Sequence, residues 1–195
     1  WRMFQKASNG VGPDRPLPFH DGSSYPSDWS PDRRLLFRAW DRSTGSTGDF
    51  WLAQDTTDSD RRLFSSLPVE SASGRLSPDG KWVAYETSET MSALYLRSLQ
   101  SPETLWQLTP GGGAQPRWRG DGRELFYLAP DLTLVAVRTE PGASPLATVP
   151  RPLFQTHAVP PSGLAGQAYD VNSNGRRFLV KVAADVSPIT VIVNW

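Results

Sequence analysis

The chain has 195 residues with 20 Lys plus Arg against 20 Asp plus Glu, and this formal net charge of 0 excludes a global field that would gather nucleic acid. At 38% hydrophobic and 11% aromatic it can bury a core, and having no cysteine it excludes disulfides, thiol catalysis and cysteine-ligated zinc or iron-sulfur centres. Its 16 Gly and 18 Pro punctuate the chain about every six residues, which favours short strands joined by turns over long helices.

Two histidines, His20 and His157, are too few for a histidine-only metal site, and no cofactor is expected. The longest apolar runs, such as Ile189 to Val193, are far too short to span a bilayer, so no membrane contact is expected of this segment. The chain opens at Trp1 with neither an initiator Met nor a signal peptide, and it reads as cut from a longer polypeptide.

Along the chain, residues 1–25 supply two short strand signals, around Trp1 to Phe4 and Leu17 to His20. A turn signal then appears four times: Trp29-Ser-Pro-Asp32-Arg33-Arg34, Leu76-Ser-Pro-Asp79-Gly80-Lys81, Trp118-Arg-Gly-Asp121-Gly122-Arg123 and Val171-Asn-Ser-Asn174-Gly175-Arg176. The anchors Asp32, Asp79, Asp121 and Asn174 recur at intervals of 47, 42 and 53 residues. Three positions before each anchor stands an apolar residue, two after it a basic one, and four and five after it an apolar pair. The chemistry is that of a hairpin turn. Pro presets φ, Asp or Asn accepts a local backbone bond, and Gly takes the left-handed φ that closes the loop. Arg33 stands where the other copies have Gly, a cost of about 1 kcal/mol if its φ is positive, so this copy is expected to turn differently.

Each turn leads into a strand (Leu35 to Trp40, Trp82 to Thr87, Glu124 to Ala129, Arg177 to Val182) and then a second (Asp49 to Gln54, Ala93 to Ser98, Leu132 to Thr139, Ile189 to Asn194). Weaker outer strands are expected near Arg61 to Ser65, Thr104 to Leu108 and Arg151 to Gln155. Four short strands per period of this length are the signature of a β-propeller blade, and paired apolar residues suit a sheet covered on both faces by its neighbours. The expected fold is therefore all-β: a partial ring of about four to five blades, each a four-stranded antiparallel sheet. Residues 1–25 end a preceding blade, 26–66, 67–109 and 110–156 form whole blades, and 157–195 form a last, incomplete one. A β-sandwich is the competing reading. Closure has two solutions. The strand near Leu17 could complete the last blade and give a four-bladed ring, or the chain is an arc whose ring is completed by remaining blades or another chain; the surplus strand at Trp1 favours the arc.

Ser77-Pro-Asp-Gly80 followed by Lys-Trp-Val-Ala-Tyr, with its cousin Trp29-Ser-Pro-Asp32, resembles the TolB-type, WD-repeat-like propeller repeat of bacteria, over nearly the whole chain. The closing segment, from Tyr169-Asp-Val-Asn-Ser-Asn-Gly to Trp195, is similar to the end of propellers that follow eukaryotic-like Ser/Thr kinase domains in some bacteria. The resemblance implies a non-catalytic sensor or interaction module that binds a protein or peptide, with a small ligand at the central channel as a further expectation. It also favours a periplasmic or extracytoplasmic location.

Catalytic motifs are sparse. There is no Gly-x-Ser-x-Gly elbow, no kinase glycine-rich loop and no His-Arg-Asp run. Ser77-Pro-Asp79-Gly80-Lys-Trp82 approaches the sialidase Asp box but places its glycine one residue early, which keeps a propeller-fold glycan hydrolase as an alternative beside the supporting propeller of a prolyl-oligopeptidase-like peptidase. Asp55, Asp58 and Asp60 lack the glycine and distal Glu of a calcium loop and read as solvated. Gly111-Gly-Gly113 precedes a strand, not a helix, and reads as a flexible crossing between blades.

Four positions before each anchor stand Asp28, Arg75, Arg117 and Asp170, all charged and all on the innermost strand. If blades stack side by side, Asp28 faces Arg75 and Arg117 faces Asp170. Inter-blade ion pairing is the structural reading, and contact with a ligand in the channel is the functional one. His157, near an inter-blade crossing, is a further candidate contact. Trp29, Trp82 and Trp118 are assigned to the buried core. Recognition is also expected on the loops Asp41 to Asp49, Leu67 to Ser73, Ser88 to Ser92, Pro110 to Ala114 and Thr156 to Gly166.

Overall fold

The structure, a computed structural model, describes residues 2–17, 23–41, 46–54, 62–65, 71–87, 92–101, 103–139, 149–159 and 166–183. Among these there is no helix, and the strands form five antiparallel sheets in chain order. The first pairs β1 (Phe4–Gln5) with β2 (Arg15–Pro16). Three four-stranded meanders follow. The first blade is β3 (Ser24–Trp29), β4 (Arg34–Asp41), β5 (Ser46–Gln54) and β6 (Arg62–Ser65). The second is β7 (Ser71–Leu76), β8 (Trp82–Thr87), β9 (Leu94–Ser98) and β10 (Leu105–Gln107). The third is β11 (Ala114–Trp118), β12 (Glu124–Leu128), β13 (Thr133–Arg138) and β14 (Arg151–Gln155), and the last sheet pairs β15 (Tyr169–Val171) with β16 (Phe178–Val180).

The paired apolar residues explain how the sheets stack. Successive side chains of a strand point to opposite faces, so a neighbouring apolar pair serves both neighbours. Leu36, Phe50 and Leu52 of the first blade pack with Leu76, Val83, Tyr85 and Leu99 of the second. Ala84, Leu94 and Leu96 on the other face of the second blade meet Leu125, Tyr127, Val135 and Val137 of the third. Phe126, Leu128 and Leu134 then face Ala168, Tyr169 and Phe178 of the last sheet, with the Phe126 and Phe178 rings edge to face at 5.1 Å. At the other end Leu35, Phe37 and Ala39 cover Met3 and Leu17. All six residues of β8 are buried, as a central strand of a doubly covered sheet requires. Gly74 on β7 permits a close approach of the first two blades: a Cβ there would lie 2.8 Å from Leu36 Cδ2 and 2.9 Å from the Phe50 ring.

Several expectations need correction. Trp29 is 47% exposed, whereas Trp82 is buried and Trp118 half-buried. Residues of this column pack backward onto the inner strand of the preceding blade: Leu76 joins the core shared with the first blade, and the Trp118 indole N–H donates to the Arg75 carbonyl at 3.2 Å. The sheet before Trp29 contains only β1 and β2 among the described residues, so no inner strand covers it. The glycine run 111–113 lies on the crossing between the second and third blades, where the Gly113 amide donates to the Ser92 carbonyl at 2.7 Å and a Cβ on Gly113 would lie 2.9 Å from the Tyr127 ring. Within the span 41–49, residues 41 and 46–49 are strand, with β4 and β5 pairing as far as Asp41 and Ser46. Leu17 donates its amide to the Met3 carbonyl, and β15 and β16 form a separate pair, so the described residues show no closure through Leu17. The strand expected at 189–194, the acids Asp55, Asp58 and Asp60, His20, and most of the loops at 67–73, 88–92 and 156–166 lie outside the described residues.

Candidate functional site

Four turns of one backbone form set the ends of the inner strands. In each, the glycine-position amide donates to the carbonyl three residues earlier: Arg33 to Ser30, Gly80 to Ser77, Gly122 to Arg119 and Gly175 to Asn172, at 2.8 to 2.9 Å. The φ values at these positions are +68°, +67°, +70° and +72°. Arg33 thus does not turn differently; it takes the same left-handed conformation that the three glycines take without steric cost. Asp79, Asp121 and Asn174 accept the amide two residues on, from Lys81 at 3.1 Å, Arg123 at 3.0 Å and Arg176 at 2.9 Å. In the first copy the Arg34 amide donates to Ser30 Oγ at 3.0 Å instead, while the Arg34 guanidinium clamps the Asp32 carboxylate. That clamp holds the Asp32 carboxyl below its ordinary range. The structure gives these four residues a turn-building role.

The turns bring the inner strands β3, β7, β11 and β15 side by side, and the charged column meets there. Arg117 Nε lies 3.5 Å from Asp170 Oδ1, so the expected pairing forms between the third blade and the last sheet. Asp28 and Arg75 form no such pair. Asp28 accepts main-chain amides instead, from Leu76 on Oδ2 at 2.8 Å and from Trp29 on Oδ1 at 2.9 Å. Arg75 donates through Nη1 to the carbonyls of Ser27 and Gly74, the latter at 2.9 Å. The reason lies in the edges of the inner strands, whose outward N–H and C=O groups have no ladder partner and compete for nearby side chains. Burial first, and the positive charge of Arg117 second, hold the Arg75 guanidinium below its ordinary value, against the attraction of Asp28 and Asp170. One arginine therefore lies within electrostatic reach of charges on three other inner strands. The Arg117 guanidinium also stands over the Tyr169 ring, 5.8 Å from its centroid.

Gln115, which sequence reasoning missed, ties three sheets together at the opposite end of the inner strands. Its amide donates to Glu86 Oε2 at 2.9 Å, its Oε1 accepts from the Ala168 amide at 2.8 Å, and its carbonyl accepts from the Tyr169 hydroxyl at 2.9 Å. Its φ of +57° is costly for a residue with a Cβ and is held by these bonds. No residue-type signal marks such a position. Burial dominates at Tyr169, whose hydroxyl is pushed far above its ordinary pKa.

His157 is exposed on the crossing after β14 and takes no part in the cluster. A polar cleft of about 660 Å³ separates the third blade from the last sheet, lined by Arg119, Glu124, Arg151, Phe126 and Phe178 among others. Within it Glu124 takes Arg119 at 2.9 Å and Arg151 at 3.6 Å, and Arg119 also meets Asp121 at 2.7 Å.

No protein-family model and no curated protein sequence matches the chain. Solved structures do. TolB from Acinetobacter baumannii superposes with a TM-score of 0.67 at 14% identity, over 97% of this chain and 45% of that one. A putative TolB from Agrobacterium tumefaciens gives 0.53 at 16% identity, over 78% and 61%. A prolyl endopeptidase gives 0.53 at 14% identity, over 89% of this chain and 27% of that chain. The chain thus spans less than half the length of the first of these. At such identities the likeness is one of fold: the chain is an all-β segment of TolB-like propeller architecture.

Proposed function

We propose that the chain is a non-catalytic binding and scaffold module, the propeller part of a larger bacterial protein such as a Ser/Thr kinase, which recognises a protein or peptide or a small ligand at the propeller axis. The observation that carries this reading is the axial cluster. Asp28, Arg75, Arg117 and Asp170 come from four different sheets, yet they meet at one place through side chains that hold main-chain edges, an arrangement suited to orienting a ligand. The resemblance of the closing segment to kinase-associated propellers adds the sensor role. Remaining blades, in this polypeptide or in another chain, complete the ring.

A second reading draws on the endopeptidase likeness, in which the matched part is about a quarter of the longer chain: the blades would support a peptidase domain rather than bind a signal. Assays of the full 195-residue chain against a panel of chromogenic glycosides and proline-containing peptides separate these readings from catalysis. The module reading expects no turnover. Turnover abolished by changing one carboxylate overturns it.

A further inference from the structure

The two arginines of the axial cluster have more donors than the protein uses. Arg75 spends Nη1 on the Ser27 and Gly74 carbonyls, and its Nε and Nη2 meet no acceptor among the described residues. Arg117 spends Nη1 on the Pro116 carbonyl at 2.8 Å and turns Nε toward Asp170, while its Nη2 likewise meets none. None of these nitrogens is among the sealed polar atoms, so each keeps some access to solvent.

The nearby acids offset the positive charge without filling those donors. Both oxygens of Asp28 accept main-chain amides, and Asp170 Oδ1 accepts the Val171 amide at 2.9 Å while its side chain is 72% exposed. Arg117 is buried and Arg75 half-buried, and the repulsion between the two guanidinium groups is opposed by the attraction of Asp28 and Asp170, so what is left for a ligand is the unused N–H donors. Guanidinium forks with free N–H groups match the oxygens of a carboxylate or phosphate, and burial strengthens such bonds.

We infer that Arg75 and Arg117 form an oxyanion site on the axis, which takes a carboxylate or phosphate group of the ligand. This rests on the reading of the chain as a binding module. Arg75 donates from Nε and Nη2, Arg117 from Nη2, with the Arg117 guanidinium standing over the Tyr169 ring. Arg75 is the specificity-determining member, because its anchoring carbonyls on the first and second blades leave a whole edge of its fork for the ligand.

The test is calorimetric titration of the full chain with two probes, inorganic phosphate and an acetylated triglutamate peptide, at low and high salt. Saturable binding of either probe, weakened by salt, is expected; the probe that binds identifies the group as phosphate or carboxylate. Arg75→Gln and Arg117→Gln should each lower affinity about tenfold or more, Arg75→Lys should fall between them and the unaltered chain, and Arg123→Gln, on the turn face, should change nothing. The urea midpoint of each variant is measured alongside; if Arg117→Gln fails to fold, the two Arg75 variants carry the comparison. Absence of saturable binding, or an equal loss in Arg123→Gln, overturns the site. A parallel screen with neutral glycans and uncharged peptides separates the two levels: binding there that survives Arg75→Gln, with neither anion bound, overturns the oxyanion site and leaves the module standing. No binding in any arm overturns both.

Discussion

The Tyr169 hydroxyl donates to the Gln115 carbonyl at 2.9 Å, across the seam between the third blade and the last sheet. Tyr169 is 2% exposed, and Gln115 holds a left-handed φ of +57°. Tyr169→Phe removes the donor and leaves that carbonyl without it, which should cost about 1–3 kcal/mol by urea denaturation near neutral pH. The pH dependence has a fixed sign. Burial raises the folded-state pKa of this phenol above its ordinary 10.0, so its contribution is fully present below about pH 10 and is lost as pH rises further. The unaltered chain should therefore lose more stability above about pH 10 than Tyr169→Phe does, and equal slopes would contradict the assignment.

Arg33 and Gly80 make the same turn, at φ +68° and +67°. Arg33→Gly removes the steric cost of a Cβ in that region and should stabilise the chain by up to about 1 kcal/mol. Gly80→Ala should destabilise by at least that amount, since its Cβ would also run into the Arg34 guanidinium of the neighbouring blade. Thermal midpoints of the two variants, moving in opposite directions, check the pair.

Asp28 acts as an acceptor for main-chain amides rather than as the partner of an ion pair, and substitutions tell the two apart. Asp28→Ala orphans the Leu76 amide and should cost about 1–3 kcal/mol, whereas Asp28→Asn keeps an acceptor oxygen and should cost less than half of that. Asp170→Asn removes a carboxylate that is largely in water and should stay within about 0.5 kcal/mol. Equal losses for Asp28→Asn and Asp28→Ala would restore the ion-pair reading.

The architecture was legible because turn chemistry is local and repeats. Pro, Asp and Gly at fixed offsets place β4, β8, β12 and β16, and the apolar pairs announce sheets covered on both faces. Even Arg33 was legible as a residue out of place, although its φ was not, since the bond from its amide to the Ser30 carbonyl closes the same turn with or without a Cβ. The charged column was visible as a column, but its bonding was not. Whether Asp28 meets a guanidinium or an amide depends on which strand-edge groups lack partners, and that is decided only when the blades come together. Gln115, at φ +57°, carries no mark in sequence because its conformation is imposed by contacts from distant residues, whereas Leu132, at φ +67°, follows Pro130-Asp131 in the same kind of turn that Arg33 makes. Trp29 was misplaced for the complementary reason: its apolar character predicts burial, but its cover would have to come from an inner strand that the sheet before it does not supply among the described residues.

Amide hydrogen exchange at Leu76, Gln115 and Ala168 tests the radial arrangement most directly. Each lies on or just before an inner strand, and each donates to a side chain of another blade: Asp28, Glu86 and Gln115 respectively. Slow exchange at all three is expected, lost selectively at Leu76 in Asp28→Ala, at Gln115 in Glu86→Ala and at Ala168 in Gln115→Ala. Exchange at unprotected rates in the unaltered chain, or protection that survives each substitution, would contradict inner strands that converge and hold one another's edges.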